Sequence, residues 1–318
     1  MKPSHGASRA SVILALVAVQ VFFALHYVSA RHIMEFIPPR AWATIRIVTA
    51  ALLLMAFVVA TRRDRIPRNP RDLSAIALFS LFGVVINQVC FVEGLSRSST
   101  AHSSIINTSI PVATLLIAIL MGRERLTGRK LAGIALSITG VLWLILHGGA
   151  RLGGEFVAGD LFNLTNALSY SFFLVISRPL LQRHSSLAVT ALMLLFGAVG
   201  ISMTGAGQLA RVTPSSLPAS VWWNAVFVVL FATVAAYILN AYALKRVDSS
   251  SVALFIYLQP MIASVVAWAV RGERVGPEAV VAAILIFAGV ALGMTAPAGR
   301  AAPVEHPVPG QESAPSNP

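Results

Sequence analysis

Twelve acidic residues are spread over 318 positions, and their spacing builds no reaction centre. Hydrolysis or metal chemistry needs paired carboxylates, an HExxH helix, a GxSxG turn or a Walker loop, and none of these patterns occurs. Nearly all the acids lie in the gaps between apolar stretches, and Glu93 falls within one, near its outer end. Neither an enzyme nor a metal or other cofactor is expected. The apolar stretches instead carry uncharged polar side chains at helical spacing. Ser104, Asn107, Pro111 and Thr114 recur every three or four residues, which is one helix face. Asn163, Asn166 and Tyr170 share a second face, with Ser177 further along it. Thr233, Tyr237 and Asn240 make a third, and Ser250, Tyr257 and Ser264 fall seven apart. Such groups are costly against lipid and should face protein or a water-filled path. An interhelical hydrogen bond, worth about 0.6 kcal/mol, would explain any one of them. Four stripes, two in each half of the chain, fit a shared cavity better.

Single side chains add to this. Arg46 lies about five residues into the apolar stretch 41–61. A mid-helix arginine costs about 2.5–3.5 kcal/mol on insertion scales, less near an interface. Two readings stay open: it snorkels to the headgroups, or it sits near the outer mouth of a path and grips an anionic group such as a carboxylate. Asn87 and Gln88 lie in the middle of 73–95, and Gln20 and Gln259 lie near the middles of their own stretches. His26 could carry a proton or be a hydrogen-bonded structural residue. Pro111 and Pro260 have no N–H, so Asn107 and Ile256 lose the donors their carbonyls would have in a helix. Those carbonyls could bind ligand, mark a hinge or sit in a static kink. Glu124 and Glu273 end apolar stretches and are expected to pair with nearby arginines or helix N-termini.

The elements that position these residues follow from composition. The chain is 57% hydrophobic and 11% charged, against about 25% charged in soluble chains. Lipid must be the solvent for much of it. The formal charge of +12 sits in short gaps between apolar runs, so nucleic acid is not an expected partner. Cys90 is the single cysteine, so no intrachain disulfide can form. Apolar runs of spanning length occur ten times: 11–30, 41–61, 73–95, 101–121, 129–147, 159–180, 187–207, 221–243, 250–270 and 277–296. The first resembles a signal peptide, but its length and its counterpart in the second half mark it as a retained span. The gaps hold Pro, Gly, Ser and charge clusters, which stop helices. From about 298 to 318 the chain is rich in Pro, Ala and Ser and is expected to be a disordered cytoplasmic tail.

The chain also repeats itself. Pro111, Glu124, Arg125 and Gly140-Val141 recur 149 positions later as Pro260, Glu273, Arg274 and Gly289-Val290. Leu95 and Arg97 answer Leu244 and Arg246 in the same register. Weak repeats with matching hydropathy point to transporters built from two related halves. Five spans per half is an odd number, so the halves must lie inverted in the membrane. With the N-terminus inside, the cytoplasmic segments carry 16 Lys and Arg and the outer segments 7. Both termini are therefore expected to be cytoplasmic.

These residues carry a family resemblance. Leu95, Ala101 to Ser104, Pro111, Glu124 and Gly140 resemble the repeat of the EamA family, within the drug/metabolite transporter superfamily. Leu244, Ser249 to Ser251, Pro260, Gly272-Glu273 and Gly289 are similar to its second copy. One departure is Arg123-Glu124, where the family usually has Gly directly before the Glu; here Gly122 is displaced by one. The resemblance spans roughly 11–296. It implies a central cavity lined mainly by helices 1–4 and 6–9, with helices 5 and 10 peripheral. The motif is architectural and names no substrate.

The expectation is an all-α membrane protein of ten transmembrane helices in two inverted five-helix repeats. The first repeat covers 1–150 and the second 151–297. Its expected function is secondary transport of a small organic metabolite or drug-like solute across the inner (plasma) membrane, with efflux favoured at the level of the family. An uptake permease or uniporter is the alternative within transport; a membrane-embedded enzyme or a scaffold is the alternative outside it. Expected partners are the lipid bilayer and a small solute, and a homodimer is left open. The substrate cavity is expected among Gln20, Arg46, Asn87, Asn107, Asn166, Tyr170, Tyr237, Asn240, Tyr257 and Gln259. Topology is testable: single cysteines at Arg65 and Arg151, in a Cys90→Ala background, should label from opposite sides of the membrane. Labelling of both from one side would break the inverted-repeat argument.

Overall fold

A peptide group in hydrocarbon has no water to bond, so an apolar chain of this kind closes its hydrogen bonds within helices. The structure is a computed structural model and describes residues 9–61, 66–97, 103, 106–124, 127–147, 157–271 and 277–294. The first half holds α1 (Arg9–Met34), α2 (Pro39–Thr61), α3 (Pro70–Arg97), α4 (Ile110–Leu120) and α5 (Gly128–His147). The second holds α6 (Val157–Arg183), α7 (Ser186–Leu209), α8 (Ala219–Leu244), α9 and α10 (Pro277–Met294). Helix α9 has three parts: Ser249–Leu254, a 3-10 turn Phe255–Tyr257, and Leu258–Arg271. Among the described residues there is no strand. Helices α1, α2, α3, α7 and α8 are long and apolar enough to cross a membrane. Leu120, Met203 and Trp223 point outward, 85%, 83% and 76% exposed, as a lipid-facing surface would have them. Ser104, Arg125, Glu273, Arg274 and the tail 298–318 lie outside the described residues, as does the side chain of Ser264.

Local signals place the helix starts. Asn69 accepts from the Arg71 amide with Pro70 opening α3, and Ser185 accepts from the Ala188 amide at the start of α7. The two duplicated prolines act differently from mid-helix kinks. Thr108-Ser109 is a turn, and α4 restarts at Ile110 with Pro111 in its first turn. In α9 the 3-10 turn sits just ahead of Pro260. Both breaks fall where the proline withholds a backbone donor.

A second pair of irregularities was not foreseen. Helix α3 passes through a π turn at Leu81–Ile86, and α8 through one at Leu230–Ala235. They lie 149 positions apart, the offset of the sequence repeat. Packing has the same regularity. Helix α2 packs on α7, and α5 on α10. Helix α1 lies against α8 and α9, while α6 lies against α3 and α4. Exchanging every helix with the one five later maps this pattern onto itself. The α5–α10 contact is backbone against backbone. A Cβ on Gly133 would fall 2.7 Å from the Gly289 carbonyl, and one on Gly289 would fall 2.6 Å from the Gly133 carbonyl.

Charged contacts segregate to the two ends of the bundle. At one end, His184 meets Asp72 at 2.9 Å and Lys245 Nζ donates to the His184 carbonyl at 3.0 Å. Beside them, Lys130 donates to Glu124 at 2.6 Å and lies 3.3 Å from Asp248, which also takes Arg178 at 2.8 Å. Glu124 further accepts from the Ser250 amide at 3.1 Å and from the Ser250 hydroxyl, at the start of α9. At the other end, Glu93 takes both Arg40 and Arg97, and Arg31 donates to the Leu95 carbonyl at 2.7 Å.

Lys130 and Glu124 are 3% and 2% exposed at their side chains, so neither charge has water to fall back on. Removing one partner of such a pair costs about 3–5 kcal/mol, while an apolar or neutral pair is tolerated. Lys130→Met should therefore lower the melting temperature of the detergent-solubilised protein sharply. Adding Glu124→Gln to it should restore much of the loss. An unchanged melting temperature in the single variant would contradict the pairing.

Candidate functional site

Three of the four polar stripes reach one cavity of about 500 Å³, open space at its mouth included. Helix α1 contributes Phe23, His26 and Tyr27, and α2 contributes Arg46. Asn87, Gln88 and Phe91 come from α3 just past its π turn. Asn107 and Ile110 flank the break ahead of Pro111. The second half supplies Asn166 and Tyr170 from α6, Tyr237 from α8, and Ile256 and Gln259 from α9. Helices α5, α7 and α10 contribute nothing to the lining described.

The polar groups are held by one another and by the irregular backbone. A π turn holds one residue too many for the α ladder, so a carbonyl loses its usual partner. Tyr237 donates its hydroxyl to the Gly83 carbonyl inside the α3 π turn at 3.0 Å. Ser169 donates to the Phe82 carbonyl at 2.7 Å, and Asn166 to the Asn87 carbonyl at 2.7 Å. Gln88 donates to the Tyr237 hydroxyl at 3.1 Å and to Asn87 Oδ1 at 2.6 Å. Gln88 and Tyr237 are themselves 149 positions apart. Asn107 bonds the Tyr27 hydroxyl across to α1.

Arg46 is 1% exposed, so it does not reach out to headgroups. Its Nε donates to Thr233 Oγ1 at 2.6 Å, and Thr233, within the α8 π turn, donates to the Val228 carbonyl just ahead of that turn at 2.9 Å. Its Nη1 meets His26 Nε2 at 2.8 Å. A guanidinium only donates, so Nε2 must accept and His26 is neutral with its proton on Nδ1. The His26 ring stacks on Phe91 with centroids 5.0 Å apart.

Of the ten side chains expected in the cavity, seven line it: Arg46, Asn87, Asn107, Asn166, Tyr170, Tyr237 and Gln259; His26 and Gln88, also noted from sequence, join them. Two stand one bond behind it: Asn240 donates to Tyr170 at 2.8 Å, and Gln20 accepts from Gln259 at 2.7 Å. Tyr257 is buried but is not in the lining. The seven-residue spacing that selected it assumed an unbroken α-helix; the 3-10 turn Phe255–Tyr257 rotates the register, and Ile256 faces the cavity instead. Ser250 is held by Glu124 at the bundle end. Thr114 and Ser177 are buried away from the lining. Phe23, Tyr27, Phe91 and Ile110 were missed, because an apolar or aromatic residue within an apolar run carries no signal of which way it faces.

The comparisons agree with this architecture. A sequence model of the EamA-like transporter family matches residues 10–146 and again 157–295. The chain is 23% identical over 285 residues to the uncharacterized transporter YyaM of Bacillus subtilis, covering 88% of this chain and 92% of that one. It is 26% identical over 246 residues to a probable terminal-alkyne amino-acid exporter of Streptantibioticus cattleyicolor, covering 77% and 80%. It is 23% identical over 290 residues to an uncharacterized transporter of Archaeoglobus fulgidus, covering 90% and 97%. A crystal structure superposes on 90% of this chain and 96% of its own with a TM-score of 0.71 at 20% identity, a likeness of fold. The relatives are transporters rather than enzymes, and the apolar helices are those of a membrane protein. With the family model matched in both halves, this chain belongs to the EamA-like transporter family.

Proposed function

We propose that this transporter moves a small organic solute outward across the cytoplasmic membrane by alternating access around the central cavity. The observation that carries the reading is the cavity itself: both halves line it, and its polar groups lie on helices that otherwise have no water to face. In this reading the ten helical segments are ten crossings, and the halves 1–150 and 151–297 are inverted repeats. The matching π turns, the interchangeable packing pattern and the hydrogen bond between Gln88 and Tyr237 all support a pseudo-two-fold axis through the site. The excess of Lys and Arg in alternate loops supports cytoplasmic termini. The outward direction follows the exporter among the relatives.

The polar contacts between the halves at the two ends are the natural gates. At one end, beside the Glu93 cluster, the Arg40 amide of α2 donates to Gln208 Oε1 of α7 at 2.9 Å; at the other, Glu124, Lys130 and Asp248 tie the start of α9 to the first half. Rocking the halves against each other would loosen one contact while keeping the other. The chain breaks ahead of Pro111 and Pro260 are where such rocking costs least, because no helical hydrogen bond is lost there.

Flux into proteoliposomes, screened over amino acids, nucleosides and cationic drugs, tests the reading directly. Replacing Tyr170, Tyr237 and Asn240 together by alanine should abolish flux of whichever solute is moved; intact flux would remove the cavity from the mechanism. Pro111→Ala or Pro260→Ala should slow transport more than it lowers expression, because each restores a donor where the break now lies. Unchanged flux from both would make the breaks static features.

A further inference from the structure

On the reading that this cavity is the transport site, we propose that its solute carries a carboxylate, taken by Arg46, joined to an apolar body. Arg46 is the one residue of the lining with a fixed charge. Among the described residues no carboxylate pairs with it. Glu35 is spent on His32, Asp72 on His184, Glu93 on Arg40 and Arg97, Glu124 on Lys130, and Asp248 on Lys130 and Arg178. Its two recorded partners, Thr233 and a neutral His26, are both uncharged. A buried cation with only neutral partners is costly, and the cost is relieved by an anion that enters beside it.

The geometry selects among anions. Thr233 and His26 hold Nε and Nη1 and so fix the guanidinium plane. Arg46 itself lines the open space, so a ligand in the cavity lies beside a guanidinium whose orientation is already set. One fixed charge matches a single negative charge; a phosphate dianion would find no second cation in the lining. The remaining walls include Phe23, Phe91, Ile110 and Ile256, which suit an apolar or aromatic body rather than a bare inorganic ion. A carboxylate in these walls would have no other fixed positive charge to meet, so its recognition rests on Arg46.

The test uses the full chain purified in detergent in chloride-free buffer. The probes are acetate, hexanoate and 3-phenylpropionate, each with its amide as a neutral match of the same shape. Thermal stabilisation should grow with the apolar body, and each of the two larger acids should act at about a hundredfold lower concentration than its amide. Arg46→Gln should erase that preference. Arg46→Lys, which keeps the charge and loses the planar fork, should weaken binding while still favouring acid over amide. The wild-type comparison decides even if a variant fails to fold: acids no better than amides overturns the proposal. Equal stabilisation by chloride would overturn it too, by making the site a halide site, and an acid effect that survives Arg46→Gln would be a detergent effect. Proteoliposome flux separates this from the function it rests on. Transport of neutral solutes alone would retain the transporter reading and reject the carboxylate; carboxylate binding with no flux would do the reverse.

Discussion

Every polar atom within this bundle is governed by one constraint: hydrocarbon offers no hydrogen-bond partner, so each group must find one inside the protein. Regular helices solve this for the backbone and leave nothing over for a ligand. The two π turns break that closure on purpose-like terms, each at the same place in its half. The carbonyls they release are what the polar side chains fasten to. Tyr237 reaches from α8 to Gly83 in the α3 turn, and Arg46 reaches from α2 to Thr233, which is anchored in the α8 turn. The cavity is therefore the place where irregular backbone from the two halves is mutually satisfied. Its polar lining is a consequence of that cross-bracing as much as of any ligand.

The same constraint explains why the charges went elsewhere. Glu124, Lys130 and Asp248 form a cluster sealed among helix ends, where the Ser250 amide at the start of α9 supplies a further donor. Helix α9 thereby depends on a residue from the far end of the first half. One cluster thus gathers helix ends from both halves and fixes the start of a cavity-lining helix. Close Gly133–Gly289 packing of α5 on α10 plays the opposite part, a rigid contact away from the lining.

Helix content and the duplication could be read from the sequence because they leave periodic marks: apolar runs of spanning length, broken by Pro, Gly and charge, and a shared offset of 149. Polar stripes were equally legible, since an amide in an apolar run stands out, and Asn107, Asn166 and Tyr237 all reach the lining. What was hidden is whatever depends on local helical pitch. The π turns have no compositional signature: Leu81–Ile86 and Leu230–Ala235 are plain apolar sequence. The 3-10 turn at Phe255–Tyr257 is equally silent, and it alone moved Tyr257 off the lining. Lys130 stands near the start of the run 129–147, and nothing in that sequence marks it as buried against Glu124.

Duplication makes a symmetric scaffold, and a symmetric scaffold does not by itself select a solute. Selection has to come from positions where the halves differ. On the axis the difference is mild: Gln88 in one half answers Tyr237 in the other, and the two bond each other. At Arg46 it is large. Helix α7 is the counterpart of α2 and packs on it, yet at the offset of 149 Arg46 is answered by Leu195, an apolar residue on an outer face of the bundle. One half thus places a fixed positive charge at the cavity, and the second half lines it with uncharged residues only. On the proposed function, a solute in the cavity would meet charge from one side and an apolar or uncharged surface from the rest. The inherited fold supplies the path, and the single unmatched arginine is the feature most able to decide what passes along it.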